Sequence, residues 1–179
     1  MRVIGIDPGS VICGYGVVDM EGSSFKLVEY GVIKAKIQSD DFNGRLKILN
    51  DSVDRIIKRT KPDISAFETI FYAKNVQSLV KLSHARAAAI LSASHNKIPI
   101  FEYSPNEIKK SVTGKGKAAK EQVQFMVKKI LNIDETPEFL DSTDALAIAI
   151  CHCLKQGNSN TKKVSNWSQF AKDNPDRIK

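Results

Sequence analysis

The sequence predicts an α/β fold in which a mixed β-sheet carries helices on both faces. Three strand-like runs open the chain with only short links between them, a pattern typical of an antiparallel meander. Helix-like and strand-like segments alternate after them, and helices close the order. The chain has 179 residues, of which 42% are hydrophobic, so it is long enough for one domain with a substantial core.

The meander consists of MRVIGID, YGVVDM and SFKLVEYGVIKAKI. Pro8 and Gly9 end the first strand, and the turn-like residues 21–24 separate the other two. Apolar residues then recur at helical spacing in FNGRLKILNDSVDRIIKRT, and Pro62 ends that helix. The next segment, ISAFETIF, is predicted to be a further strand.

The second half continues the alternation with a long helix, NVQSLVKLSHARAAAILSASHN. We expect this helix to have one apolar face, formed by Val76, Leu79, Leu82 and Ala85. A strand (IPIFEYS), two helices (PNEIKKSV and KEQVQFMVKKIL) and a last helix from Asp144 to Leu154 follow. The predicted domain covers residues 1–157, and the polar residues 158–179 are expected to form a flexible or loosely docked tail.

Positive charge is concentrated in the middle of the chain. Residues 69–133 carry eleven Lys/Arg and three Asp/Glu, whereas residues 1–68 carry ten of each. Such a basic stretch is the expected electrostatic footprint of a polyanionic partner, although a generally basic surface that keeps the protein soluble is the alternative.

Composition also favours a cytoplasmic protein. The N-terminus lacks the apolar run of a signal peptide, and no segment approaches the roughly 20 apolar residues that a membrane span requires. The cysteines, Cys13, Cys151 and Cys153, are odd in number and are expected to be reduced thiols. We therefore expect no membrane contact and no disulfide framework.

Two carboxylates occupy predicted strands. Asp7 ends the first strand before Pro8, where a turn residue is the simpler interpretation. Glu68 lies on the same strand face as Ile64 and Ala66. A carboxylate on an apolar face is costly unless a cation or hydrogen-bond donors compensate it, so the alternative is an edge strand open to water.

Two further carboxylates, Asp141 and Asp144, precede the last apolar run. As an N-cap and an acidic first-turn residue, they would simply begin a helix. The same spacing also places both on one face of the first turn. With Asp7 and Glu68 they form the set that a two-metal phosphodiester hydrolase requires, because Mg²⁺ binds carboxylate oxygens and substrate phosphate. Spacing alone leaves both interpretations open.

Five segments, in order along the chain, resemble the RuvC family of crossover junction endodeoxyribonucleases: GIDPGSVICGYGVV, AFETIFYAKN, LSHARAAAI, PIFEYSPNEIKKSVTGKGKAAKEQV and DSTDALAIA. The resemblance is collinear from residue 2 to residue 155 and excludes the tail. It implies an RNase H-like fold with a mixed five-stranded sheet. It also implies a homodimer that hydrolyses phosphodiesters symmetrically in two strands of like polarity of a four-way (Holliday) DNA junction, during recombination and repair.

The same resemblance implies a catalytic centre at Asp7, Glu68, Asp141 and Asp144 that holds two Mg²⁺ ions, with Mn²⁺ as a substitute. Some family members have His at the position of Asp141, and Asp keeps an all-oxygen site here. Lys109 and Lys120 match catalytic basic positions near the scissile phosphate, although each could be an ordinary solvated lysine. A branch-migration complex of the RuvA/RuvB type is the implied protein partner.

The resemblance also implies specific DNA contacts. Phe71 matches an aromatic residue that stacks on a base at the junction centre, where stacking contributes roughly 1–3 kcal/mol per base, although core packing is commoner for Phe. Tyr72 either shares this role or packs at a dimer interface, and Arg86 either contacts DNA or ties its helix down by an ion pair. The other expected DNA-binding residues are Lys74, Lys81, Lys109, Lys110, Lys115, Lys117 and Lys120. The dimer contact is expected on the long helix that begins near Val76.

Other interpretations are weaker. An actin-like ATPase shares a loop resembling IGIDPGS but requires two such domains, and a junction-binding module without catalysis would lack cleavage in any metal. A nuclease acting on RNA structures is a closer alternative. A zinc site at Cys151, His152 and Cys153 is disfavoured because zinc ligands are typically separated by two to four residues.

Overall fold

The computed structural model describes residues 1–70, 75–133 and 140–159. Their elements, in chain order, are β1 (Arg2–Asp7), β2 (Ile12–Glu21), β3 (Ser24–Lys34), α1 (Ala35–Gln38), α2 (Phe42–Thr60), β4 (Ile64–Glu68), α3 (Val76–His95), β5 (Ile100–Tyr103), α4 (Pro105–Thr113), α5 (Lys120–Leu131) and α6 (Leu140–Ser159). The predicted order of three strands, alternating helices and strands, and closing helices is confirmed.

The five strands form one mixed sheet in the order β3-β2-β1-β4-β5. β1 is antiparallel to β2, and β2 is antiparallel to β3, which confirms the meander. β4 pairs parallel to both β1 and β5. The carboxyl ends of β1 and β4, where Asp7 and Glu68 stand, therefore meet at one edge of the sheet.

Helices cover both faces, as predicted. α4, α5 and α6 share a hydrophobic cluster with Val3 and Ala66, whereas α2 and α3 share another with Ile4, Ile6 and Phe67. Alternate residues of β1 and β4 thus enter opposite cores, because successive side chains of a strand point to opposite faces. This alternation places residues 64, 66 and 68 on the α6 side, as the sequence predicts for Glu68.

Three details differ from the prediction. Residues 35–38 form the short helix α1 instead of continuing the third strand. α6 begins at Leu140, so Asp141 is inside the first turn and is not the N-cap, although its charge still complements the helix dipole. α6 also continues to Ser159, beyond the predicted end of this helix at Leu154. The proposed tail otherwise falls on residues 160–179, which lie outside the described residues.

The apolar face predicted for α3 is partly wrong. Its buried residues are concentrated in the C-terminal half, at Ala85, Ala88, Ala89, Ser92 and Ala93, where the helix packs against α2 and the sheet. Val76, in contrast, is 61% exposed. The small alanine side chains allow close packing of the second half, and the first half leaves apolar side chains in contact with solvent.

α6 lies unusually close to the sheet because glycines face it. A Cβ atom added to Gly5 would lie 2.1 Å from the carbonyl oxygen of Ala145, and one added to Gly14 would lie 2.0 Å from that of Asp141. Only a residue without a side chain fits such contacts. These two glycines therefore bring the first turns of α6 down onto β1 and β2, beside Asp7.

In the part of the chain that the structure describes, no helix is both long and apolar enough to cross a membrane.

Candidate metal centre

Asp7 and Glu68 are neighbours on adjacent parallel strands. Ile6 is paired with Phe67 across β1 and β4, and Asp7 and Glu68 are the next residues on each strand. Their side chains point to the α6 face, because they alternate with Ile6 and Phe67, which pack on the α2–α3 side. The sheet itself therefore brings together two carboxylates that lie 61 positions apart in the sequence.

α6 supplies the other two carboxylates from above the sheet edge. One oxygen from each of Asp7, Asp141 and Asp144 lies within 4.8 Å of the other two, and all three side chains are half-buried. Glu68 is not part of this group. It lines a neighbouring groove with Asp144, Lys109 and Lys120. Three of the four predicted carboxylates thus form a close group, which we call the carboxylate cluster, and Glu68 lies beside it, lining one groove with Asp144 and another with Asp7.

The carboxylates destabilise one another's charged forms. Burial raises the pKa of Asp7 to about 7, and repulsion from Asp144, Glu68 and Asp141 adds to the effect, while Lys120 opposes it. Burial and the charge of Asp144 also raise the pKa of Glu68, against the attraction of Lys109 and Lys120. Carboxylates crowded in this way favour a bound cation, and an all-oxygen donor set fits Mg²⁺ or Mn²⁺. The residues present therefore fit a divalent metal centre.

Lys120 is the closest cation to the cluster. It is the first residue of α5, and its Nζ lies 2.6 Å from Oδ2 of Asp144. Burial opposes protonation of this lysine, but the hydrogen bond to Asp144 and the charges of Asp141 and Asp7 raise its pKa on balance. Lys120 is therefore a permanent positive charge beside the carboxylates, as expected of a group that contacts a phosphate.

Lys109 approaches from α4, whose start is firmly fixed. Ser104 caps this helix, the side chains of Ser104 and Glu107 exchange hydrogen bonds with each other's backbone amides, and Pro105 occupies the first turn. Glu107 also forms an ion pair with Lys155 of α6. Residue patterns gave no signal for this second link, since Glu107 and Lys155 are 48 positions apart. It ties the helix that carries Lys109 to the helix that carries Asp144.

The predicted DNA-binding residues are not all gathered at this centre. Lys110, Lys115 and Lys117 are exposed on α4 and on the turn that follows it, and Lys81 is exposed on α3. Phe71, Tyr72 and Lys74 lie outside the described residues. The side chain of Arg86 is only 16% exposed and forms an ion pair with Glu102 on β5, so the ion-pair alternative for this residue is confirmed. Sequence reasoning did not single out Glu102.

The Cys151-His152-Cys153 segment is buried within α6. Nδ1 of His152 lies 2.7 Å from the hydroxyl oxygen of Tyr103, and the His152 ring packs against Phe101. Cys151 contacts the hydroxyl of Ser111 on α4. His152 and Cys151 thus have packing partners on β5 and α4, and Cys153 is buried in the same hydrophobic cluster as Cys151.

A family model described as "Crossover junction endodeoxyribonuclease RuvC" matches residues 3–152 of the chain. The chain belongs to the RuvC family. The match runs from β1 into α6, so all four carboxylates, Lys109 and Lys120 lie within the RuvC region.

Individual RuvC proteins agree with this assignment over nearly the whole chain. The crossover junction endodeoxyribonuclease RuvC of Cytophaga hutchinsonii is 41% identical over 177 residues, which cover 99% of this chain and 88% of that protein. The structure of Thermus thermophilus RuvC matches with a TM-score of 0.81 and 32% identity, covering 89% of this chain and 97% of the other. T. thermophilus RuvC in complex with Holliday junction substrate matches with a TM-score of 0.83 and 32% identity, covering 89% and 96%. The RNase H-like fold that the motifs imply is thereby confirmed.

Proposed function

We propose that this RuvC-family protein resolves Holliday junctions by metal-dependent hydrolysis of one phosphodiester in each of two strands of like polarity. The observation that carries the proposal is the carboxylate cluster of Asp7, Asp141 and Asp144, with Lys120 in contact with Asp144. The likeness to a RuvC bound to Holliday junction substrate supports the choice of substrate. The same chemistry on a four-way junction serves DNA recombination and repair.

The residues around the cluster are suited to two Mg²⁺ ions, with Mn²⁺ as a substitute. The carboxylate cluster would hold one ion, and Glu68 with Asp144 would hold the other. When bound, such ions neutralise the charge that develops on the attacking water and on the leaving oxygen of an in-line displacement. The mechanism leaves a 5′-phosphate and a 3′-hydroxyl and has no covalent intermediate with the protein.

The chain's own cations orient the substrate. Lys120 and Lys109 line the groove with Glu68 and Asp144, so a phosphate that enters the groove meets two ammonium groups beside the carboxylates. Because these ammonium groups are already in position, they stabilise the negative charge that develops on the phosphate oxygens in the transition state without first having to move. The half-buried setting of the cluster strengthens these interactions, because solvent screens them less.

Further DNA contacts surround the centre. Lys81, Lys110, Lys115 and Lys117 are exposed, which supports a role for them in binding backbone phosphates. We also propose that Phe71 stacks on a base at the junction centre and that Tyr72 and Lys74 contribute to DNA binding. These contacts position the junction and do not by themselves read its base sequence.

A C2 homodimer would supply the two active sites that symmetric cutting requires. α3 offers a surface for the contact: Val80 and Leu91 are 46% and 51% exposed, in addition to Val76. An apolar row of this kind on one helix is suited to a second copy of itself across a two-fold axis. We place the protein in the cytoplasm, with a RuvA/RuvB-type branch-migration complex as its partner.

The proposal is tested by cleavage of a synthetic mobile four-way DNA junction in Mg²⁺, with the variant Asp144→Asn in parallel. We expect paired nicks from the wild type, and junction binding without nicking from Asp144→Asn. Asp51→Asn is the matched control, because Asp51 lies in an exposed pair with Lys47 on α2. Junction binding without nicks in either Mg²⁺ or Mn²⁺ would make the protein a binding module, and preferential cleavage of RNA hairpins would make RNA the substrate.

A further inference from the structure

Arg86 approaches the metal centre from the opposite face of the sheet. It lies on α3, whose buried residues pack with Ile4, Ile6 and Phe67, away from α6. Its Nε donates a hydrogen bond of 3.1 Å to the main-chain carbonyl of Glu68, the last residue of β4. One side chain of α3 therefore contacts the backbone of a predicted metal ligand directly.

The same guanidinium also reaches β5. Nη2 of Arg86 lies 2.6 Å from Oε1 of Glu102, close enough for an ion pair, although this buried nitrogen makes no hydrogen bond of regular geometry. Glu102 stands opposite Phe67 in the β4–β5 ladder. The Arg86 side chain thus joins α3, the end of β4 and the middle of β5 at a single point.

Among the described residues, the hydrogen bonds at the end of β4 outside the strand ladders come from Arg86 and, on the β5 side, from Thr69, whose amide and hydroxyl both donate to the Tyr103 carbonyl. Glu68 is paired with Tyr103, and the amide of Thr69 donates to the Tyr103 carbonyl over 2.9 Å, but the β1–β4 pairing ends at Phe67. On the β1 side nothing in the ladder fixes the Glu68 peptide. The hydrogen bond from Arg86 therefore restrains the carbonyl of the residue whose side chain must reach the metal centre.

This restraint matters because Glu68 stands outside the carboxylate cluster. Because Arg86 contacts Glu68 at its main-chain carbonyl, it acts on the carboxylate through the backbone. Groups that orient a metal ligand from behind typically change metal affinity or activity by about 10- to 100-fold.

We propose that Arg86, held by Glu102, is a positioning residue that fixes the end of β4 so that the Glu68 carboxylate faces Asp144 across the metal centre. This inference rests on the proposed function for the identity of the metal centre. It extends the ion-pair alternative for Arg86 to a role at the metal centre, in place of the DNA contact that was the other alternative.

The test measures Mn²⁺ binding without DNA, from the electron paramagnetic resonance signal of free Mn²⁺, together with junction binding and nicking. We expect Arg86→Gln to weaken Mn²⁺ binding about tenfold and to slow nicking, while the junction Kd in Ca²⁺ stays within about twofold. Arg55→Gln, the same change at an exposed arginine of α2, is the control and should leave Mn²⁺ binding, junction binding and nicking unaltered. Arg86→Lys keeps the positive charge but loses the planar guanidinium group that reaches both Glu68 and Glu102. Its Mn²⁺ affinity should therefore lie between those of the wild type and Arg86→Gln.

A double-mutant comparison separates positioning from a general effect on folding. If Arg86 acts through Glu68, Arg86→Gln adds no further loss of Mn²⁺ binding to Glu68→Gln. Additive losses, or weaker junction binding with unchanged Mn²⁺ affinity, would overturn the inference. If circular dichroism shows that Arg86→Gln does not fold, Arg86→Lys and Glu102→Gln carry the same comparison. If the wild type binds Mn²⁺ but never nicks the junction, the proposed function is refuted. The role of Arg86 is still tested in that case, by the Mn²⁺ affinities of the wild type and Arg86→Gln.

Discussion

Lys120 Nζ lies 2.6 Å from Asp144 Oδ2, so the first residue of α5 forms an ion pair with a carboxylate of α6 at the centre of the proposed active site. The pair is half-exposed on the lysine side, and surface pairs of this type contribute only about 0–1 kcal/mol to stability. Its location is therefore better explained by chemistry than by folding. Lys120 is held where a scissile phosphate would meet both the metal ligands and a fixed positive charge.

We predict that Lys120→Gln slows junction nicking by about 10²-fold, because it removes a charge that stabilises the transition state. Junction binding should weaken only about threefold, since the exposed lysines around the groove still contact phosphates. Single-turnover nicking at saturating protein, with binding measured separately in Ca²⁺, checks this. Lys129→Gln on the outer side of α5 is the control, and an equal loss there would mean that only the total charge of the helix matters.

Asp7 should make the stability of the metal-free protein depend on pH. Its pKa is raised from 3.8 to about 7 in the folded state, chiefly by burial, so the folded protein binds this proton more tightly than the unfolded chain. The stabilisation is complete below pH 4 and is lost as the pH rises through about 7. In EDTA, Asp7→Asn should therefore melt at a higher temperature than the wild type at pH 8, and the difference should vanish near pH 4.

Thermal unfolding between pH 4 and pH 8 measures this effect, with about 2–4 °C expected per kcal/mol for a protein of this size. Mn²⁺ should raise the Tm of the wild type at pH 8 and have little effect on Asp7→Asn, because bound cations stabilise only the state that binds them. If the Tm difference between the wild type and Asp7→Asn were the same at every pH, the charged form of Asp7 would not destabilise the folded protein. Asp51→Asn, on the surface, is the control.

Gly14→Ala should abolish Mn²⁺ binding although it lowers the free energy of unfolding only moderately. The added methyl group would lie 2.0 Å from the carbonyl oxygen of Asp141, so the first turn of α6 must move away from the sheet. We expect a destabilisation of about 1–3 kcal/mol, as for an overpacked core, together with loss of Mn²⁺ binding. Gly31→Ala is the control, because its added methyl would meet the Tyr15 side chain and not backbone. Retained Mn²⁺ binding in a folded Gly14→Ala protein would contradict the close-contact explanation.

Charges on the exposed apolar row of α3 should separate the proposed dimer. Val80→Asp and Leu91→Asp would each place a carboxylate in the apolar dimer contact. Burying that charge without a matching cation costs free energy and weakens the dimer. Sedimentation at micromolar concentration should show monomers, and the variants should lose paired nicking of the two strands. Ile37→Asp is the matched control, because Ile37 is 80% exposed far from α3 in the sequence. Unchanged sedimentation of the α3 variants would place the dimer contact elsewhere.

Much of the fold could be predicted because its signals are local. Strand alternation around Glu68 and helical spacing in α2 are properties of neighbouring residues, and the turn at Pro8 is fixed by its own backbone restriction. The errors arose where packing competes with local preference. Val76 is apolar and has helical spacing, yet it is exposed because only the alanine-rich end of α3 meets α2 and the sheet.

From the sequence alone, residue type, position in the pattern and family resemblance identify Asp7, Glu68, Asp141 and Asp144 as candidate metal ligands. Their arrangement follows from the tertiary structure, in which Glu68 lies beside the carboxylate cluster, Lys120 contacts Asp144, and Arg86 contacts the end of β4. The reason is physical. Residue type and periodicity act over a few positions, whereas the distances between these groups depend on strand order and on how closely Gly5 and Gly14 allow α6 to approach the sheet.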